Sequence, residues 1–151
     1  MKKIFISKKA KKHSSKGDFT YSKDGNRTYK MTGGGHGQEN INYLKKRKIP
    51  YNVLYEFDNG VRRGNISIHK RGNHKTGDKQ CWFPDSWDRN DIANAGRHVM
   101  SLKKNQKRAN GKVHWGTHKK VSVGVYTNHG FVTTIFPNYV QKGVPKHVKT
   151  K

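Results

Sequence analysis

Apolar residues fall in short runs along this chain, and their spacing changes from one stretch to the next. Residues 38–48 open with Gln38, Glu39 and Asn40 and close with Lys45-Lys46-Arg47-Lys48. That is the charge order a helix dipole favours, and Pro50 stops the helix. The run Val53-Leu54-Tyr55-Glu56-Phe57 and the run ending Asn65-Ile66-Ser67-Ile68-His69 flank Asp58-Asn59-Gly60, which predicts a hairpin. Beyond Trp87, Asp88 with Asp91 three residues on predicts a capped helix carrying Ile92, Ala95, Val99 and Leu102 on one face. Residues 121–126 and 131–136, joined through Asn128-His129-Gly130 and closed by Pro137, predict a second hairpin. Helix, hairpin, helix, hairpin is an α+β order, with helices packed on a small antiparallel sheet.

The flanks read differently. Residues 1–30 carry ten basic and two acidic residues among Ser, Gly and Asn. This composition predicts a flexible basic arm over residues 1–32, a domain over 33–141 and a basic tail over 142–151. No apolar run approaches the about 18 residues that cross a bilayer, so this segment predicts no membrane insertion. The basic start reaches only three apolar residues and predicts no signal peptide, so action outside the producing cell needs delivery by another segment. Cys81 stands alone, which excludes an internal disulfide and a cysteine-based zinc site.

Charge changes the picture most. Thirty-three Lys and Arg stand against nine Asp and Glu, a formal net charge of +24 on 151 residues. An excess of this size calls for a polyanionic partner, nucleic acid first.

Two of nine histidines stand out by context. His36 follows Gly33-Gly34-Gly35 at a helix start, a place suited to close phosphate approach or to a plain linker. His69 ends a strand reading in which Asn65, Ser67 and His69 share a face, beside Lys70 and Arg71. Cleavage of RNA through its 2′-hydroxyl needs one group to take that proton, one to protonate the leaving oxygen, and donors for the charged phosphorane. Imidazoles suit the first two tasks, Lys or Thr the third, and no metal is called for. The seven carboxylates of residues 33–141 form no DxD or HxH cluster, and the single metal-like spacing is His69 to His74.

The motifs Gly-Gly-Gly-His-Gly-Gln-Glu-Asn-Ile at 33–41, Tyr51-Asn52-Val53, Asn59-Gly60-Val61-Arg62, His69-Lys70, Thr76-Gly77 with Gln80, Trp82-Phe83-Pro84 through Trp87, and Thr134-Ile135-Phe136-Pro137 resemble the bacterial polymorphic toxin type 50 domain. That domain is similar to bacterial EndoU-like RNases, in the wider group that includes barnase. The resemblance runs over nearly all of residues 33–141. It implies a helix packed on an antiparallel sheet and metal-independent RNA cleavage leaving a 2′,3′-cyclic phosphate. It also implies use in interbacterial competition or carriage by a prophage, delivery into a target-cell cytoplasm, and pairing with an acidic immunity protein.

Residue by residue, the resemblance implies His36 and His69 as the paired histidines, in an order left open, and Thr134 in the final motif. Phe136 stands there where the family has Tyr, so its ring can stack on a base and cannot donate. Gln80-Cys81 replaces a Lys-Ser step, which leaves Lys79 or Lys75 to supply the cation. Thr76 reads either as a phosphate contact or as a turn residue. Trp82 and Trp87 read either as base-stacking rings or as packing. Lys70, Arg71, Lys119 and Lys120 read as RNA-backbone contacts or as a solvated face. A basic nucleic-acid-binding module without catalysis is the alternative reading of the whole.

Overall fold

The computed structural model describes residues 4–107 and 111–148. Its helices are α1 (Lys8–Ser15), α2 (Gln38–Lys46), the single turn α3 (Gly72–Lys75) and α4 (Arg89–Ser101). The strands are β1 (Asp18–Tyr21), β2 (Thr28–Gly33), β3 (Tyr51–Glu56), β4 (Arg62–Ile66), β5 (Gln80–Trp82), β6 (Val113–His118), β7 (Val121–Asn128), β8 (Phe131–Pro137) and β9 (Lys146–His147). They form a β1-β2 hairpin, a four-stranded sheet in the order β5-β4-β3-β9, and a three-stranded sheet in the order β6-β7-β8. Every pairing within these sheets is antiparallel, so the α+β expectation holds.

The two cores follow from the sequence pattern. Alternation along β7 and β8 turns Val121, Val123, Val125 and Ile135 inward, where α4 covers them with Ile92, Ala95 and Val99. Asp88 caps α4 in a full capping box with Asp91. The second core gathers Met31, Ile41, Leu44, Ile66 and Trp82 beneath α2. Asn59, in the β3–β4 turn, ties the two sheets together by donating to Lys120 O (3.1 Å) and Gln141 Oε1 (2.9 Å).

Three expectations change. The segment read as a flexible arm is folded: Ile4, Ile6 and Ala10 are buried in the first core, and α1 packs on α4 and β8. Ser14 on α1 is fully buried, and its hydroxyl accepts the Ile135 N–H at 2.9 Å. The strand read as ending at His69 stops at Ile66, because the chain turns and Ser67 N–H goes to Pro50 O (3.0 Å). Within the expected tail, Lys146 and His147 add β9 to the edge of the four-stranded sheet; residues 149–151 lie outside the described residues.

Candidate active site

Where β2 ends, three successive carbonyls at the end of α1 take three successive amides of the glycine loop. His13 O, Ser14 O and Ser15 O accept from Gly35 N (2.9 Å), His36 N (2.6 Å) and Gly37 N (3.0 Å). Glycine is required for this approach: Gly34 has φ +67°, and a Cβ there would lie 2.0 Å from His13 O. From the other side, Gln80 Nε2 donates to Gly35 O (2.9 Å) and Phe83 N to His36 O (2.7 Å). His36 is thus clamped by backbone on both flanks.

Its ring has one defined polarity. Nδ1 lies 2.8 Å from Cys81 O, which can only accept, so Nδ1 carries the proton and Nε2 keeps its lone pair. Burial draws the His36 pKa down to about 4; the Cys81 bond opposes this, and charge on His13, His74 and His69 adds to it. The ring is neutral at pH 7.

His36 lines a cleft of about 740 Å³ together with His13, His69, His74, Arg71 and Lys79. His13 Nδ1 sits 2.7 Å from Asp18 Oδ2, and its side chain is 23% exposed. His69 is only 4% exposed, and its Nδ1 accepts the Arg71 N–H at 3.0 Å. Burial, then charge on His74 and Arg71, draws the His69 pKa down to about 4. Its ring stacks on His74 at 4.6 Å between centroids. Lys79 Nζ lies 3.6 Å from the centroid of Tyr139, whose hydroxyl donates to Asp78 Oδ2 at 2.8 Å. Among the described residues, no Asp or Glu lines the cleft. Among the described residues, no group of three or more His, Cys, Asp or Glu is arranged to hold a metal ion.

The opposite wall is the outer face of the β6-β7-β8 sheet, which brings Thr134 and Phe136 to the cleft. Trp115 meets Phe136 edge-on at 5.6 Å, and the Phe136 ring lies 6.0 Å from His36.

Of the residues singled out from sequence, His36, His69, Arg71, Lys79, Gln80, Thr134 and Phe136 are brought together at this cleft. Lys70, Lys75, Lys119 and Lys120 are exposed cations outside it, and the Thr76 hydroxyl is spent on Gly72 O (3.0 Å) in the α3 turn. Trp82 is corrected: it is fully buried and its Nε1 donates to Asn40 Oδ1 (3.0 Å), so the ring is core and offers no face to a base. Gln80 is fully buried as well and serves the glycine loop. Burial pushes the Cys81 thiol up to about 12, which leaves no thiolate at neutral pH. Sequence reasoning missed His13, Trp115, Tyr126 and Tyr139, and noted His74 only for its spacing from His69. For His13 the signal was an acidic residue five positions on in a stretch otherwise full of cations.

The family model of bacterial EndoU nucleases matches residues 7–139. No curated protein and no solved structure matches the chain.

Proposed function

The chain belongs to the bacterial EndoU nuclease family and is an endoribonuclease, and we propose that it cleaves RNA at the histidine cleft by attack of the 2′-hydroxyl on the adjacent phosphate. The observation that carries this reading is the complementary wiring of two imidazoles. His36, with Nδ1 committed to Cys81 O, presents a lone pair on Nε2 and takes the 2′ proton. The 2′ oxygen then bonds to phosphorus and the bond from phosphorus to the 5′ oxygen breaks. His13, whose Nδ1 is held at Asp18 Oδ2, gives a proton from Nε2 to that leaving oxygen. The products are a 2′,3′-cyclic phosphate and a 5′-hydroxyl.

Lys79 and Thr134 donate to the charged phosphorane. His69, read from sequence as the second histidine, is placed differently in this mechanism. Protonation at Nδ1 would break its bond to the Arg71 amide, so it stays neutral and offers Nε2–H as a phosphate donor. We infer further that the enzyme is a toxin acting in a target-cell cytoplasm, with tRNA among its substrates and an acidic immunity protein as its neutraliser. The +24 charge supports both polyanionic partners.

Incubation with total tRNA and with single-stranded DNA in EDTA, followed by end analysis, tests the reading. RNA fragments with 2′,3′-cyclic ends are expected from the unmodified chain, and none from His36→Ala or His13→Ala. His69→Ala is expected to retain measurable cleavage. Loss of cleavage in EDTA, or full activity in His13→Ala, overturns the mechanism.

A further inference from the structure

Arg63, on β4, is a buried cation that does not line the cleft but touches a residue that does. It is 9% exposed, and its ion-pair partner, Asp78 Oδ2, lies as far as 3.8 Å from Nη2. Aromatic rings take up the guanidinium instead. Its carbon lies 4.1 Å from the centroid of Tyr139, 5.1 Å from that of Tyr55 and 5.3 Å from that of Phe57. Nη1 donates to the Tyr139 carbonyl at 3.5 Å, and the buried Nε has no partner. Burying a charge in this way costs stability, and an apolar side chain would fill the space without that cost. Arg63 therefore calls for a task beyond packing.

Its contacts converge on Tyr139. That side chain lines the cleft, its hydroxyl donates to Asp78 Oδ2 at 2.8 Å, and Lys79 Nζ lies 3.6 Å from the same ring centroid. One ring thus holds two cations, one buried and one at the cleft. The face of an aromatic ring fixes an ammonium by electrostatic attraction and leaves its N–H groups free to donate. Burial, then the bond to Asp78, raises the Tyr139 phenol above its usual pKa, so the ring stays neutral at pH 7. Asp78, next to Lys79 in sequence, is engaged by Arg63 and Tyr139. Among the described residues, no carboxylate pairs with Lys79. The ammonium is held in place and keeps its donors for an arriving phosphate.

We propose that Tyr139 is a positioning residue for cleavage: locked by Arg63 and Asp78, its ring holds the Lys79 ammonium where the charge of the phosphorane develops. The proposal rests on the reading of the cleft as the cleavage site and of Lys79 as a donor there. A lysine left to sample its rotamers gives up donor strength to the entropy of ordering it, and the ring removes that cost before the substrate arrives.

The test is a double-mutant cycle between Tyr139 and Lys79, read as kcat and KM for RNA cleavage, with a thermal melt of every variant. Tyr139→Leu is expected to lower kcat by about 3- to 30-fold and to change KM by less than about 2-fold. Tyr139→Phe keeps the ring and is expected to recover most of that loss. In a Lys79→Ala background, Tyr139→Leu is expected to lower kcat by less than about 2-fold further, because the group it positions is gone. Equal losses in the two backgrounds, or an unchanged kcat in Tyr139→Leu, overturn the proposal. A second measurement needs no variant to fold. In the NMR spectrum of the intact chain, the ring current of Tyr139 is expected to move the Lys79 ε-methylene protons upfield, and a random-coil position overturns the clamp. The outcomes separate from the nuclease reading: a chain that leaves RNA intact sinks that reading, and additive losses in an active enzyme sink only the role of Tyr139.

Discussion

Deleting residues 1–17 tests whether the basic N-terminal segment is an appendage or part of the catalytic fold. The deletion removes Ile4 and Ile6, which are 8% and 2% exposed, and burial of each contributes about 1.5–3 kcal/mol. It also removes the acceptors of Gly35, His36 and Gly37, at about 1–3 kcal/mol for each amide left buried without a partner. The Asn40 amide loses Lys16 O and the Ile135 amide loses the Ser14 hydroxyl. The combined loss is comparable to the about 5–15 kcal/mol by which a whole domain is stable. The shortened chain is therefore expected to lose its cooperative thermal transition, measured by far-ultraviolet circular dichroism. Because the deletion also takes His13, a second variant separates folding from chemistry. Ile6→Ala keeps every cleft residue and is expected to cost about 2–5 kcal/mol, lowering Tm by about 4–20 °C. A deletion variant that melts cooperatively near the intact temperature would refute the reasoning and restore the arm.

The remaining predictions concern the cleft. His36 and His69 titrate near 4 when folded and near 6.5 when unfolded, so the unfolded chain binds more protons between those values. Stability is therefore full above pH 6.5 and falls as pH drops towards 4, by about 3 kcal/mol for each ring, which urea midpoints at pH 7, 5.5 and 4 measure; a flat profile rejects it. For the same reason the acidic limb of kcat/KM, where the base is protonated, is expected near pH 4 and not near 6.5. Lys79→Ala is expected to lower kcat by about 100- to 1000-fold with a smaller change in KM, and an unchanged kcat removes Lys79 from the mechanism. Gly34→Ala adds about 1–2 kcal/mol of left-handed strain to the collision with His13 O, so both Tm and cleavage should fall.

What could be read from the sequence, and what could not, divides along a physical line. Helix α4 was legible because its signals are local: Asp88 and Asp91 exchange hydrogen bonds across one turn, at 2.9 and 2.8 Å. The β7–β8 turn was legible because His129-Gly130 suits two residues with positive φ, here 51° and 79°. Helix α1 was not. Its buried residues are Ala10, Ser14 and Ser15, all too small or too polar to register as apolar among lysines. Strand β6 was missed for a similar reason, since its core-facing positions are His114, Gly116 and His118.

The site divides in the same way. His36 drew notice because it follows a glycine run at a helix start, and Phe136 because it sits in the final motif of the resemblance. The partners that hold His36 in place were not legible, because they are backbone carbonyls: Cys81 O sets the tautomer, and His13 O, Ser14 O and Ser15 O set the loop. Any residue type supplies a carbonyl, so the sequence at those positions carries no trace of the task. His13 illustrates the consequence. Its carboxylate partner, Asp18, is five residues away, but the pair reaches the cleft only because α1 is anchored by core packing against α4 and β8. A cleft-lining pair can thus be local in sequence and still depend on tertiary packing that no local pattern announces.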